Sequence, residues 1–253
     1  MQLSHTPHAV SVSFDDPNLV SAAGLVPTMR LAQAAGLQDL GDAHLSVPTD
    51  KGANAGAKVT SLVAGMVAGA DSIDDMALLR HGGMKKLFSS IYAPSTLGSF
   101  LRKFTFGHVR QLDAVASRFL AALTGLTWLL GNPQQASRTP GVALLDVDDT
   151  IIEVHGHAKQ GATFGYPRVR GYHPLLATRA DTGEELHARM RKGSANTQRG
   201  TVRFLDELIA RVLRAGATGP LTVRVDSGFW SNDTIAELNR LNVRYTMAVR
   251  CGT

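Results

Sequence analysis

The sequence predicts an α/β protein in two parts. A helical region covers residues 1–131, a linker covers 132–141, and a mixed β-sheet core flanked by helices covers 142–253. Three observations carry this. Apolar residues recur at helical spacing from Asn18 to Leu130, whereas beyond Gly141 short apolar runs alternate with amphipathic helical stretches. Gly131 to Gly141, GNPQQASRTPG, holds two prolines and two glycines with no apolar period, which marks a boundary. Two short apolar strands, Val142 to Val147 and Leu221 to Val225, run directly into aspartates.

In the first part, residues up to Pro17 alternate weakly and read as an arm or short edge strand. Asn18 to Ala35 has helical spacing through Leu19, Ala22, Ala23, Val26 and Leu31, with Pro27 either kinking it or marking a new start. A polar loop with Pro48, Asp50 and Gly52 precedes a helix of small and apolar residues from Lys58 to Ala70, where Gly65 and Gly69 permit close packing. Ser72 caps the next helix, which Gly82 and Gly83 break. Pro94, Ser95 and Thr96 then start a helix with Leu97, Phe100, Leu101 and Phe104 as its apolar stripe and Arg102 and Lys103 on its polar face. That arrangement fits a DNA-reading helix-turn-helix and also fits an ordinary pair of packed helices. His108 to Leu130 continues as helix.

In the second part, strands are expected at Val142 to Val147, Ile151 to His157 and Pro174 to Ala180, with a glycine-rich basic loop between the last two. A helix from Asn196 to Ala215, a strand from Leu221 to Val225, a helix capped by Ser231 and a strand from Val243 to Val249 follow. This is the element order of an RNase H-like core up to its last helix. In that fold the first and fourth strands are neighbours, so Asp148 and Asp226 come together.

The acids carry the chemistry. Asp146 and Asp148 share one strand face and Asp149 points to the other. Carboxylates this close repel one another unless a proton or cation sits among them. Asp148 and Asp226 at adjoining strand ends can bridge divalent ions, and a metal pair stabilises both attacking and leaving oxygens in phosphoryl transfer. Mg²⁺ suits such oxygen ligands, with Mn²⁺ as a substitute.

Composition agrees with a polyanionic partner. The 253-residue chain has 26 Lys and Arg against 21 Asp and Glu, a net charge of +5. Residues 159–203 hold nine basic and three acidic residues, so that local excess exceeds the net charge of the whole chain. The single cysteine, Cys251, excludes an intrachain disulfide and a thiol-rich zinc site and fits a reducing cytoplasm. No secretory signal is visible, and the longest apolar runs fall short of the ~20 residues of a membrane span.

DVDDTIIEVHGHAKQGATFGYPRVRGYHPLLA, RKGSAN and RVDSGFWS, in that order, resemble the catalytic half of the DDE transposases of bacterial insertion sequences. APSTLGSFLRKFTFGHVRQLD resembles the helical region that precedes it, which would bind the transposon ends. The resemblance implies Mg²⁺-dependent DNA strand cleavage and transfer by a homodimer on double-stranded DNA, both terminal inverted repeats and target, in the bacterial cytoplasm at the nucleoid. Carried over residue by residue, the first acid is Asp148, with Asp149 as fallback, and the second is Asp226. The third acid, a glutamate on the helix after the fifth strand, is absent, and Glu237 belongs to an earlier helix. The resemblance therefore implies a chain truncated before its last helix, with impaired activity or as a non-cutting DNA-binding remnant.

LLDVDDTI also matches the first motif of haloacid-dehalogenase-type phosphatases, with Asp146 as nucleophile and Asp148 as acid/base. Such enzymes need a downstream lysine, and none follows Lys192. Arg168, Arg170, Arg191, Lys192 and Arg199, with Arg179 and Arg189, are expected along a DNA backbone, as are Arg102 and Lys103. Tyr166 either stacks on a base or packs in its turn. His155, His157 and His173 raise zinc, against which the carboxylates argue. Phe229 and Trp230 are expected to pack beneath the DSGF turn.

Overall fold

A computed structural model describes residues 16–127, 143–156 and 158–249. The expected arm up to residue 15, the linker at 132–141, His157 and Cys251 lie outside the described residues. The chain divides into two compact units between Phe119 and Leu120.

The first unit is helical: α1 (Leu25–Ala34), α2 (Leu37–His44), α3 (Ala55–Val67), α4 (Met84–Leu87), α5 (Pro94–Leu101) and the start of α6 (Phe106–Leu126). Pro27 sits in the first turn of α1, where a missing N–H costs nothing, so it marks a start and not a kink. Helix α2 was not apparent in the sequence because Gly41 interrupts it. That glycine serves packing: a Cβ there would lie 2.6 Å from the Cα of Gly56 on α3. The helix expected after Ser72 is a 3-10 stretch, Asp74–Arg80, and α4 has only four residues. A helix-turn-helix leading into α5 is therefore not formed, and the packed-helix alternative describes this unit.

Lys58 on α3 is buried in this unit. Its ammonium donates to the carbonyls of Lys51 at 2.7 Å and Ala53 at 2.5 Å and faces the rings of Tyr92 and Phe100. Burial pulls its pKa below that of an ordinary lysine.

The second unit is built on a five-stranded sheet. In chain order its strands are β1 (Ala143–Asp149), β5 (Leu175–Arg179), β6 (Glu185–Arg189), β7 (Leu221–Val225) and β8 (Arg244–Met247). Their spatial order is β6-β5-β1-β7-β8, with β1 antiparallel to β5 and parallel to β7. Leu145, Val147, Ala177, Val223 and Val225 are buried together with Phe204, Leu205, Leu208 and Val212 of α7 (Thr201–Arg214) and Leu238 of α8 (Asn232–Arg240). Strand alternation then puts Leu144, Asp146 and Asp148 on the opposite face. Among the described residues, no helix is long and apolar enough to cross a membrane.

The strand assignment needs two corrections. The expected second strand shrinks to β2 (Ile152–Glu153), which joins β3 (Thr163–Phe164) and β4 (Arg170–Tyr172) in a separate sheet, order β2-β4-β3. The glycine-rich stretch read as a loop thus supplies two strands. The main sheet instead takes β6, whose polar sequence, ELHAR, and the irregular register at Ala177/Thr178 of its partner hide the alternation.

Glycines let the small sheet seat closely. A Cβ on Gly193 would stand 2.2 Å from the carbonyl oxygens of both Gly171 and Thr163. Gly193→Ala is therefore expected to lower the stability of this unit by roughly 1–3 kcal/mol, read by denaturant unfolding. Unfolding at the wild-type midpoint would show that the segment shifts freely.

Candidate functional site

Four aspartates gather at the carboxyl ends of β1 and β7, and their neighbours sort them. Asp146 pairs in register with Arg224 across the parallel strands. The guanidinium holds both carboxylate oxygens, Nε at 2.7 Å and Nη2 at 2.5 Å. Asp149 points to the other face and is mostly buried, with Oδ2 at 3.0 Å from Arg191 and 3.1 Å from His173. Asp148 and Asp226 are exposed, and neither is paired with a cationic side chain among the described residues.

The register brings these two acids together. Val147 pairs with Val225, both buried, so the next residue on each strand, Asp148 and Asp226, emerges on the opposite face. Neighbouring strands lie about 4.8 Å apart, within the span one cation can bridge. Asp148 Oδ1 accepts from the Asp149 amide at 2.8 Å, and Asp226 Oδ1 accepts from the Gly228 amide at 2.9 Å. Each bond engages one carboxylate oxygen of its residue. Carboxylate oxygens without a bound cation are the donor set of a hard divalent ion such as Mg²⁺. The fallback Asp149 has one carboxylate oxygen, Oδ2, engaged by both Arg191 and His173.

Arg191 explains how the surrounding loop is held. Its Nε donates to His173 O at 2.8 Å, and its Nη1 reaches Asn196 O, Thr197 O and Arg199 O at 2.9–3.0 Å. Burial lowers its pKa from the ordinary arginine value, opposed by the carboxylate of Asp149. The expectation that Arg191 contacts DNA is corrected accordingly: its side chain is turned inward and its donors are engaged. His173 completes the anchor through Nδ1, 2.7 Å from Ala195 O. His155 is exposed, and His157, named with it, lies outside the described residues.

The turn after β7 is shaped by its own sequence. Asp226 caps the 3-10 turn Ser227–Phe229, and Phe229 is fully buried. Trp230 departs from the expectation of packing: it is half exposed, and its backbone is held, the amide by Ser227 O at 3.3 Å and the carbonyl by Gln198 at 2.8 Å. Ser231 Oγ then accepts from the Thr234 amide and starts α8. On α8, Arg240 binds Glu237 and holds its carboxyl below the usual range, so this glutamate is committed elsewhere.

The other basic residues named from the sequence divide between the units. Arg168, Lys192 and Arg199 are exposed in the second unit, and Arg170 donates to the Gly156 carbonyl. Arg179 bonds Asp181, and Arg189 pairs with Glu207. In the first unit, Arg102 donates to Ser99 Oγ at 3.2 Å at the end of α5, and Lys103 is exposed. Sequence reasoning missed the roles of Arg224 and His173. The signal for Arg224 was present: a basic residue alternating with valines and standing two before Asp226 faces the same way as that acid.

The sequence matches the family described as Transposase DDE domain group 1 over residues 4–252. Two solved structures are similar to it at low identity. The Mos1 transposase paired-end complex with left transposon end has a TM-score of 0.32 and 9% identity, covering 79% of this chain and 60% of that one. The piggyBac transposase synaptic complex with hairpin DNA has a TM-score of 0.36 and 12% identity, covering 99% of this chain and 46% of that one. The chain thus spans about half of the solved chains it matches. A comparison with curated proteins gives no match. With the family match running over nearly its whole length, this chain belongs to the DDE-domain transposases of group 1.

Proposed function

We propose that this chain serves as the transposase of a bacterial insertion sequence, in the cytoplasm at the nucleoid. As a homodimer on double-stranded DNA it binds terminal inverted repeats and target DNA and works through divalent-metal-dependent strand cleavage and transfer. The observation that carries the reading is the sorting of the acids. Asp146 and Asp149 are neutralised by Arg224 and Arg191, while Asp148 and Asp226 stand side by side with oxygens to spare. Asp148 and Asp226 would hold a divalent ion such as Mg²⁺, which would supply Lewis-acid stabilisation of phosphoryl oxygens.

The protein's own groups do the rest. The Asp146–Arg224 pair removes a competing charge from the face that carries the two acids. Asp149, Arg191 and His173 tie the end of β1 to the loop that presents Lys192 and Arg199. Those two, with Arg168 and Arg170 here and Arg102 and Lys103 in the helical unit, neutralise phosphates and fix the register of the duplex.

The phosphatase alternative loses its nucleophile in this arrangement, because both oxygens of Asp146 are taken by Arg224.

Gel-shift and strand-cleavage assays on one terminal-repeat duplex, with and without Mg²⁺, test the proposal. Retarded DNA together with metal-dependent nicking at the repeat end is expected of the active enzyme. Binding without nicking identifies a DNA-binding remnant, and failure of both overturns the proposal. Lys192→Ala should weaken binding and reduce the slope of log affinity against log salt by about 0.9. An unchanged slope would remove Lys192 from the DNA path.

A further inference from the structure

We infer that the β3–β4 hairpin is a base-stacking element for unpaired DNA, an inference that deepens the nucleic-acid reading above and rests on it. Tyr166 is 100% exposed at the hairpin tip, and Phe164, at the end of β3, is 66% exposed. The sequence left open whether Tyr166 packs in its turn, and this exposure answers that it does not. Two aromatic rings in water on a tight turn are a cost to solubility with no return in packing. Their faces are available to a flat partner.

The backbone holds that tip firmly. Gly165 N donates to Val169 O at 3.2 Å and Arg168 N to Gly165 O at 3.0 Å, closing a short loop of Tyr166, Pro167 and Arg168. Ser194 N donates to Thr163 Oγ1 at 2.8 Å, and Tyr172 bridges Lys192, so the hairpin is seated on the segment that Arg191 clamps. Arg168 adopts φ 60°, a left-handed conformation that glycine or asparagine fits better. An arginine at that position serves the turn poorly and a phosphate well.

Charge selects the partner. Residues 158–173 contain Lys159, Arg168 and Arg170 and no carboxylate, and exposed Lys192 lies beside Tyr172. Exposed aromatics interleaved with cations are how single strands are held: rings stack on bases of any sequence while cations follow the backbone. A protein partner would have to bring acids to the same tip, and the fully paired duplex offers no free base face to a tyrosine.

The test is fluorescence anisotropy of the full chain with a labelled oligothymidylate of about 20 nucleotides, against a blunt duplex of the same length. Tyr166→Ala should weaken oligothymidylate binding about tenfold, change duplex binding less than about twofold, and leave the salt slope unaltered, because stacking releases no counterions. Tyr166→Phe should keep the affinity, and Arg168→Gly should reduce the salt slope by about 0.7. The residue is fully exposed, so the variants fold as the wild type does, which thermal melting checks. No wild-type binding to oligothymidylate, or equal binding by Tyr166→Ala, overturns the inference. A Tyr166→Ala variant that binds DNA normally but changes its oligomeric state in sedimentation also overturns it and makes the tip a protein contact. Binding here is read without metal or cleavage, so it fails or succeeds independently of the Asp148 and Asp226 pair.

Discussion

Alanine at Asp148 or at Asp226 is expected to abolish Mn²⁺ binding and to lower metal-dependent strand cleavage at least about a thousandfold while sparing DNA retention. The magnitude follows from the several kcal/mol a metal centre contributes to phosphoryl transfer, at about 1.4 kcal/mol per factor of ten. Either carboxylate alone offers too few oxygens to hold a hard cation against water. The informative control is the double replacement Asp146→Ala with Arg224→Ala. It removes an exposed ion pair from the same face, with little effect on stability, and Mn²⁺ binding should persist. Electron paramagnetic resonance of bound Mn²⁺ reads the first half and cleavage of a terminal-repeat duplex the second. Retained binding in either single variant would take that aspartate out of the site. Loss of binding in the double control would move the site to Asp146.

Arg191→Ala should destabilise the second unit by roughly 3–5 kcal/mol, because it leaves the mostly buried carboxylate of Asp149 with His173 alone. It also removes a donor from the carbonyls of His173, Asn196, Thr197 and Arg199, of which Asn196 keeps the Arg199 amide and Thr197 the Thr201 hydroxyl. Lysine does not rescue it: an ammonium is a point charge and cannot span a carboxylate and four carbonyls as a planar fork does. Urea unfolding of Arg191→Ala, Arg191→Lys and Lys192→Ala separates the roles. The first two should unfold at markedly lower denaturant and the third at the wild-type midpoint. An Arg191→Ala protein of unchanged stability would return that side chain to the DNA path. A combined Arg191 and Lys192 substitution would confuse a folding defect with a binding defect, since adjacent residues point one inward and one outward.

Much of the fold around these acids was legible in the sequence. The strands that end in Asp148 and Asp226 announce themselves by apolar runs, and the helix over Thr201–Arg214 by its stripe of Phe204, Leu205, Leu208 and Val212. What misled was local chemistry without periodicity. Strands of two or three residues, as in β2, β3 and β4, are too short to show alternation, so KQGATFGYPRVRGYH read as loop. Helix α2 was hidden by a glycine whose value lies in the approach of another helix. Trp230 was assigned to packing by hydrophobicity, which says nothing about which side of a turn faces water.

The amino-acid order by itself determined that an α/β core follows a helical region, that acids end two of its strands, and which transposase motifs they belong to. Only the tertiary structure decided which acids remain available. Arg224 lies 78 residues from Asp146 and Arg191 lies 42 from Asp149. Pairing at such separations is set by sheet register and loop closure, which spacing along the chain does not encode. Four carboxylates that are chemically alike in sequence become two paired anchors and two that, among the described residues, carry no cationic partner, because a guanidinium reaches one set and not the other.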